Sequence, residues 1–217
     1  IGGKTVTVAG IAKGAGMICP DMATMLAFFM TDANIKAPAL KAALRESVEK
    51  TFNSIMVDND TSTNDTVLVL ANGFCKGPEI KKNGPHYRAF TGLLTDTAKR
   101  LAHMVVEDGE GATKFIEIEV GGAASSKEAK AGARAVGQSM LVKCAFFGAD
   151  PNWGRILCAI GNSGVRLRED RANIFLNNVQ VVRNGLDTGR ERQAAKALKT
   201  KNVRVEVDLG SGSNKAL

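Results

Sequence analysis

The chain has 217 residues, 44% of them hydrophobic, and 29 Lys and Arg against 22 Asp and Glu give a formal net charge of +7. That length makes one large domain or two small ones with ample apolar content for a core, and no apolar run approaches the roughly 20 residues of a membrane span. The positive charge comes with scattered aromatics and no basic run, which argues against a nucleic-acid binder and for a basic surface that favours anionic substrates or an acidic partner chain.

The opening residues, with Lys4 inside an alternating segment, do not read as a signal peptide, so a soluble cytoplasmic protein is expected. Lys4 to Ala9 alternates Thr5 and Thr7 with Val6 and Val8 and predicts a strand, followed by a glycine-rich loop from Gly10 to Gly16. Gly14 and Gly16 lack the third glycine of a dinucleotide fingerprint, and Lys13 precedes them, so no P-loop is formed. Met25 to Met30 predicts a buried strand led by Thr24. Pro38 suits the first turn of a helix whose apolar side carries Leu40, Leu44, Val48 and Phe52. The polar run from Asp58 to Asp65 precedes a buried strand, Thr66 to Ala71. Its short side chains fit a self-bonded turn first and a site second.

Lys76 to Pro85 reads as a surface loop, and the helix after it carries Phe90, Leu94, Leu101, Met104 and Val105 on one side. Glu107 to Lys114 is an acidic glycine turn that feeds an alternating strand, Ile116, Ile118 and Val120. Ser125 and Glu128 form a capping box, predicting a helix towards Lys143, and Asp150-Pro151 predicts another helix start. Asn177-Asn178 marks a hairpin, a basic helix follows around Glu191 to Lys199, and Val203, Val205, Val207 and Leu209 alternate as a half-buried strand. Helices and strands alternate while the hairpin demands antiparallel pairing, so the fold class expected is α/β (α+β) with mixed sheets.

Two histidines, His86 and His103, and four scattered cysteines, Cys19, Cys75, Cys144 and Cys158, offer no metal-ligand spacing, so no metal is expected and the thiols are taken as buried and reduced. Neither histidine sits in a nucleophile elbow or a cysteine-protease signature. Thr24 has two readings. On its residue type alone it is a β-branched residue opening a strand. It becomes an activated nucleophile if the Ala23–Thr24 bond is cut, because the freed α-amine then serves as its base.

The run from Lys13 to Phe28, Lys-Gly-Ala-Gly-Met-Ile-Cys-Pro-Asp-Met-Ala-Thr-Met-Leu-Ala-Phe, resembles the autoprocessing segment of the ornithine acetyltransferase (glutamate N-acetyltransferase) family of arginine biosynthesis. The likeness extends through Asp58 to Thr66, Val106 to Phe115, Phe147 to Arg155 and Gly210 to Ser213, and so covers essentially the whole chain. The resemblance implies a layered α-β-β-α sandwich like that of N-terminal-nucleophile aminopeptidases. It also implies self-cleavage between Ala23 and Thr24, with residues 1–23 ending an α segment and residues 24–217 forming a C-terminally truncated β segment.

On the same resemblance, Thr24 is the acetyl acceptor, and Lys13, Thr24 and Glu110 contact substrate, with Glu107 the second choice for the acidic position. The substrates implied are N2-acetyl-L-ornithine and L-glutamate, with no cofactor beyond acetyl-CoA as an optional co-substrate, and the assembly implied is a heterotetramer of two α and two β chains. Oxyanion-hole donors and C-terminal substrate residues of the family lie outside this chain, so the chain alone is expected to be nearly inactive. Two other functions compete: an aminopeptidase or amidohydrolase of the same fold, and a non-catalytic basic subunit in which Thr24 is structural.

Overall fold

Three strands and two helices make the first half of the chain. The computed structural model describes residues 1–19 and 25–217, which divide into two units, Ile1–Ala112 and Thr113–Leu217. In the first, β1 (Val8–Lys13) pairs antiparallel with β2 (Leu26–Thr31), and β2 pairs parallel with β3 (Thr66–Ala71). A parallel neighbour requires a crossover, which α1 (Ala37–Glu49) supplies, with Pro38 in its first turn. The long helix α2 (Tyr87–Glu107) lies against α1 and β1.

The strand expected over Lys4–Ala9 instead starts at Val8 and runs through Gly10 to Lys13. Gly10 belongs to the strand because the Phe29 ring and Leu101 close on it: a Cβ there would lie 2.8 Å from Phe29 Cδ1 and 2.9 Å from Leu101 Cδ1. What reads as loop punctuation is a close approach. β2 and β3 were expected to be buried, yet each alternates. Ala27, Phe29 and Thr31 are buried beneath the helices, while Phe28, Met30, Leu68 and Leu70, with Ile11 of β1, are exposed. The register aligns Ile11 with Phe28 and Leu68, and Met30 with Leu70, so these apolar side chains form one continuous open face.

The helix stripes also shift. Small residues Ala39, Ala43 and Ser47 join Leu40 in the buried side of α1, and Ser47 Oγ meets Thr95 Oγ1 of α2 at 2.9 Å; Phe52 is buried in the turn beyond the helix. On α2, Phe90, Leu94, Ala98, Ala102 and Val105 are buried, whereas Met104 is exposed, contrary to expectation.

The second unit is a six-stranded mixed sheet in which β4 (Phe115–Ala123) lies parallel to β8 (Asn202–Asp208) and antiparallel to β9 (Asn214–Ala216). On the other side of β8 come β5 (Asn173–Leu176), β6 (Val179–Arg183) and the short β7 (Leu186–Asp187). Asn177 and Asn178, at φ 45° and 64°, make the β5–β6 hairpin as their sequence predicts.

Val203, Val205 and Val207 point into a core closed by α3 (Ser126–Gln138), α4 (Met140–Phe147), α5 (Trp153–Asn162) and α6 (Glu191–Ala197). On the opposite face of the sheet, Arg204 binds Glu117, Glu119 and Glu206 at 2.6–2.8 Å. Ser125 caps the helix as expected, with Glu128 N–H donating to Ser125 Oγ at 3.1 Å, but the expected single helix to Lys143 breaks at Ser139. Ser139 turns extended and caps a new helix by accepting from Val142 N–H. The last expected start is also displaced: Asn152, not Asp150, caps α5.

Each unit therefore combines helices with a mixed sheet, the α/β class expected. Of the cysteines only Cys19 is buried; Cys144 and Cys158 are exposed, because they lie on the outward sides of α4 and α5.

Candidate active site

Met25 stands just ahead of β2 and is held on both sides by the chain entering β3. Its N–H donates to Asp65 Oδ1 at 2.6 Å, and its carbonyl accepts from Thr66 N–H at 3.1 Å. On the other flank of β2, Lys13 closes β1 opposite Leu26 and is exposed. Asp65 Oδ2 is buried with no hydrogen-bond partner among the described residues. Burial pushes the Asp65 carboxyl above its ordinary value, against the Met25 N–H and the positive charge of Lys13, which both lower it.

The loop between β1 and β2 is pinned by a second aspartate. Met17, in the left-handed region at φ 54°, donates its N–H to Asp58 Oδ2 at 2.7 Å, and Ile18 donates to Asp58 Oδ1 at 3.1 Å. Ile18 is buried against Val57 and Val105, and its carbonyl accepts from Val57 N–H at 2.8 Å. Glu110, just beyond α2, donates its N–H to the Ala15 carbonyl at 2.7 Å. A Cβ on Gly16 would lie 3.1 Å from Glu110 Oε2 and 3.8 Å from Asp58 Oδ2, so two carboxylates converge on the bare backbone there. A cleft beside the loop is lined by Lys13, Gly14, Gly16, Met104 and Glu107.

Lys13 and Glu110, expected to contact substrate, are thus brought to one loop: Lys13 enters it, and Glu110 touches it at Ala15 and Gly16. Glu107 lines the cleft with Lys13. Thr24 and Ala23, the expected nucleophile and cleavage site, lie outside the described residues, which resume at Met25. Among the described residues no group of three or more His, Cys, Asp or Glu is placed to hold a metal ion. The Lys13 ammonium and the carboxylates of Glu107 and Glu110 offer charges of both signs, the groups that bind a zwitterion through charge-assisted hydrogen bonds.

The ArgJ family profile matches residues 1–217. The chain belongs to the ArgJ family. A curated family member of Symbiobacterium thermophilum, named arginine biosynthesis bifunctional protein ArgJ, is 49% identical over 217 residues, covering 100% of this chain and 54% of the relative. The mitochondrial protein of that name from Schizosaccharomyces pombe is 45% identical over 219 residues, covering 98% and 49%. A crystal structure of the Bacillus halodurans arginine biosynthesis bifunctional protein ArgJ matches with a TM-score of 0.84 at 40% identity, covering 87% of this chain and 90% of that one. The chain spans about half the length of the curated ArgJ relatives it matches.

Within this ArgJ chain, the run from Asp58 to Asp65 is the polar segment whose residue types fit a turn first and a site second. The self-bonded turn forms, with Asp60 N–H returning to Asp58 Oδ1 at 3.0 Å and Asn64 N–H to Ser62 Oγ at 3.2 Å, while the two terminal aspartates reach out to the backbone of Met17, Ile18 and Met25. The missed signal is the pair of acids at the ends of the run.

Proposed function

We propose that the full-length protein is an arginine-biosynthesis acetyltransferase that moves the acetyl group of N2-acetyl-L-ornithine to L-glutamate through an acetyl-Thr24 intermediate. The observation that carries this reading is the ArgJ match along all 217 residues. The geometry supports it: the chain on either side of the expected cut is clamped by carboxylates, Asp58 at Met17 and Ile18 and Asp65 at Met25.

In the precursor, Thr24 Oγ attacks the Ala23 carbonyl carbon, the C–N bond breaks, and the nitrogen takes the hydroxyl proton. Water then hydrolyses the Ala23 ester, freeing the Thr24 hydroxyl and α-amine. An α-amine titrates near pH 7.7–8.0 in model compounds, about two units below a lysine, so it is a competent base at physiological pH. It takes the Thr24 proton as the hydroxyl attacks the acetyl carbonyl of acetylornithine and returns it to the departing ornithine. Glutamate reverses the sequence. We assign Lys13 to the substrate carboxylate and Glu110 to the side-chain ammonium group of acetylornithine, a charge-matched division for that substrate. Glu107, in the cleft with Lys13, is the second choice for the acidic role.

The oxyanion donors are assigned to the part of the full-length protein outside this chain, and losing such a donor costs about two to three orders of magnitude in rate. The same missing part, the α segment above all, is the occupant we assign to the open face of Ile11, Phe28, Met30, Leu68 and Leu70, since a contiguous apolar patch on a sheet face is a packing surface. A cytoplasmic α2β2 assembly, with acetyl-CoA as an optional acetyl donor, completes the proposal. Intact-mass analysis of the full-length protein tests it. Two fragments meeting at Ala23/Thr24 are expected for the wild type and one uncut chain for Thr24→Ala. Cleavage persisting in the variant, or hydrolysis of acetylornithine without transfer to glutamate, overturns the reading.

A further inference from the structure

We propose that Asp58 is a positioning residue for substrate selection: it shapes the backbone from Gly14 to Ile18 so that the Glu110 carboxylate is set to hold the side-chain ammonium group of acetylornithine. The inference rests on the assignment of Glu110 given above. Both oxygens of Asp58 are engaged by backbone. Oδ2 accepts Met17 N–H at 2.7 Å, and Oδ1 accepts Ile18 N–H at 3.1 Å and Asp60 N–H at 3.0 Å. Hydrogen bonds to an ionised acceptor are about twice as strong as neutral ones, so this half-buried side chain dictates the path of a loop 40 residues away. Met17 is held at φ 54°, a conformation that residues other than glycine rarely adopt and that persists where the surroundings impose it.

Gly16 lies between two grips. On one flank the Ala15 carbonyl accepts Glu110 N–H at 2.7 Å, and on the other Met17 N–H goes to Asp58. Both carboxylates face the space where Gly16 lacks a side chain, since a Cβ there would lie 3.1 Å from Glu110 Oε2 and 3.8 Å from Asp58 Oδ2. The residue before each acid adds a further contact. A Cβ on Gly109 would meet the Val57 methyl groups at 3.1 and 3.2 Å, so the turn carrying Glu110 is seated on the chain carrying Asp58. Val57 N–H, donating to the Ile18 carbonyl at 2.8 Å, ties that chain back to the loop. The three segments interlock, and the Glu110 carboxylate stands where they meet.

Lys13 is placed by other means. It closes β1 opposite Leu26, in a ladder that Asp58 does not enter. Loosening the loop therefore displaces the ammonium end of the site and spares the carboxylate end. The two substrates differ at this point, because the side chain of acetylornithine ends in an ammonium group and that of glutamate in a carboxylate. Damage to one half-reaction is the mark of a positioning role, whereas a general loss of folded protein lowers both.

The test uses the full-length processed enzyme and measures kcat/KM for each substrate, which in a two-step transfer reports that substrate's own half-reaction. Asp58→Asn keeps the shape but gives up the charge and one acceptor oxygen. Its kcat/KM for acetylornithine is expected to fall about tenfold, the order of one charge-assisted hydrogen bond, with the value for glutamate within about twofold. In a Glu110→Ala background the same substitution should cost less than about twofold, since changes acting through one group do not add. An unchanged acetylornithine value overturns the proposal, as do equal losses for both substrates or additive losses in the double variant. Gly16→Ala decides independently of whether Asp58→Asn folds and matures. Gly16 lies outside the left-handed region, so alanine fits its backbone, and the new Cβ crowds Glu110 Oε2 while leaving the Asp58 bonds in place. A fall confined to acetylornithine is expected there too, and no fall overturns the proposal. Failure of the underlying assignment shows separately: Glu110→Ala alone would then leave acetylornithine kinetics unchanged, whereas an impaired Glu110→Ala beside an unimpaired Asp58→Asn removes the positioning role only.

Discussion

Glu110 meets the loop after β1 through different atoms, its backbone N–H fixing Ala15 and its carboxylate standing beside Gly16. Substitution separates them. Glu110→Gln keeps the backbone bond, so self-cleavage of the full-length precursor should proceed as in wild type. The KM for acetylornithine should rise about tenfold, the order of one charge-assisted hydrogen bond. Steady-state kinetics with intact mass check both halves, and an unchanged KM would move the ammonium site to Glu107. At this scale the sequence was legible only through resemblance. Lys13, Thr24 and Glu110 were named because they match a known pattern, whereas Asp58 and Asp65 act on backbone groups about 40 residues away. No periodicity carries that distance, since the partners are set by which strands pair.

Elements were legible wherever local chemistry decides them. The Asn177-Asn178 hairpin, the helix cap at Ser125 and the alternation of β8 are written in neighbouring residues, and all three formed. Errors arose where tertiary packing overrides the local signal: glycine at position 10 looked like a loop until Phe29 and Leu101 were seen against it, and the apolar runs of β2 and β3 could not reveal that only one side is covered. Gly10→Val tests the packing explanation. The added carbons meet an aromatic ring and a leucine with no free space, so overpacking should destabilise the first unit by about 1–3 kcal/mol in denaturant unfolding. A loss of under half that would mean that the glycine is there for the turn rather than for the contact.

Across the whole molecule, the expected cut between Ala23 and Thr24 does not coincide with the boundary between compact units at Ala112/Thr113. It falls inside the first unit, between two strands of one sheet. That unit also presents the open apolar face, and five large exposed side chains on neighbouring strands predict association when the 217-residue chain is made alone. Light scattering should show self-association and 8-anilinonaphthalene-1-sulfonate should bind. Met30→Lys with Leu70→Lys, adjacent in the register, should diminish both signals in the chain alone and lower the melting temperature of the full-length protein. Equal behaviour of the double variant would assign the stickiness elsewhere.

The antiparallel ladder of β1 and β2 gives the cut a consequence of its own. Six residues of β1 are stitched to β2, and Gly10 is locked beneath Phe29, so severing the connection between the strands leaves every one of those contacts in place. The product of the proposed cut would be a split protein whose two polypeptides share a sheet. Before the cut, refolding is a unimolecular search; afterwards it is a second-order encounter that weakens with dilution. The proposed cut would thus replace the folding of one chain by fragment complementation.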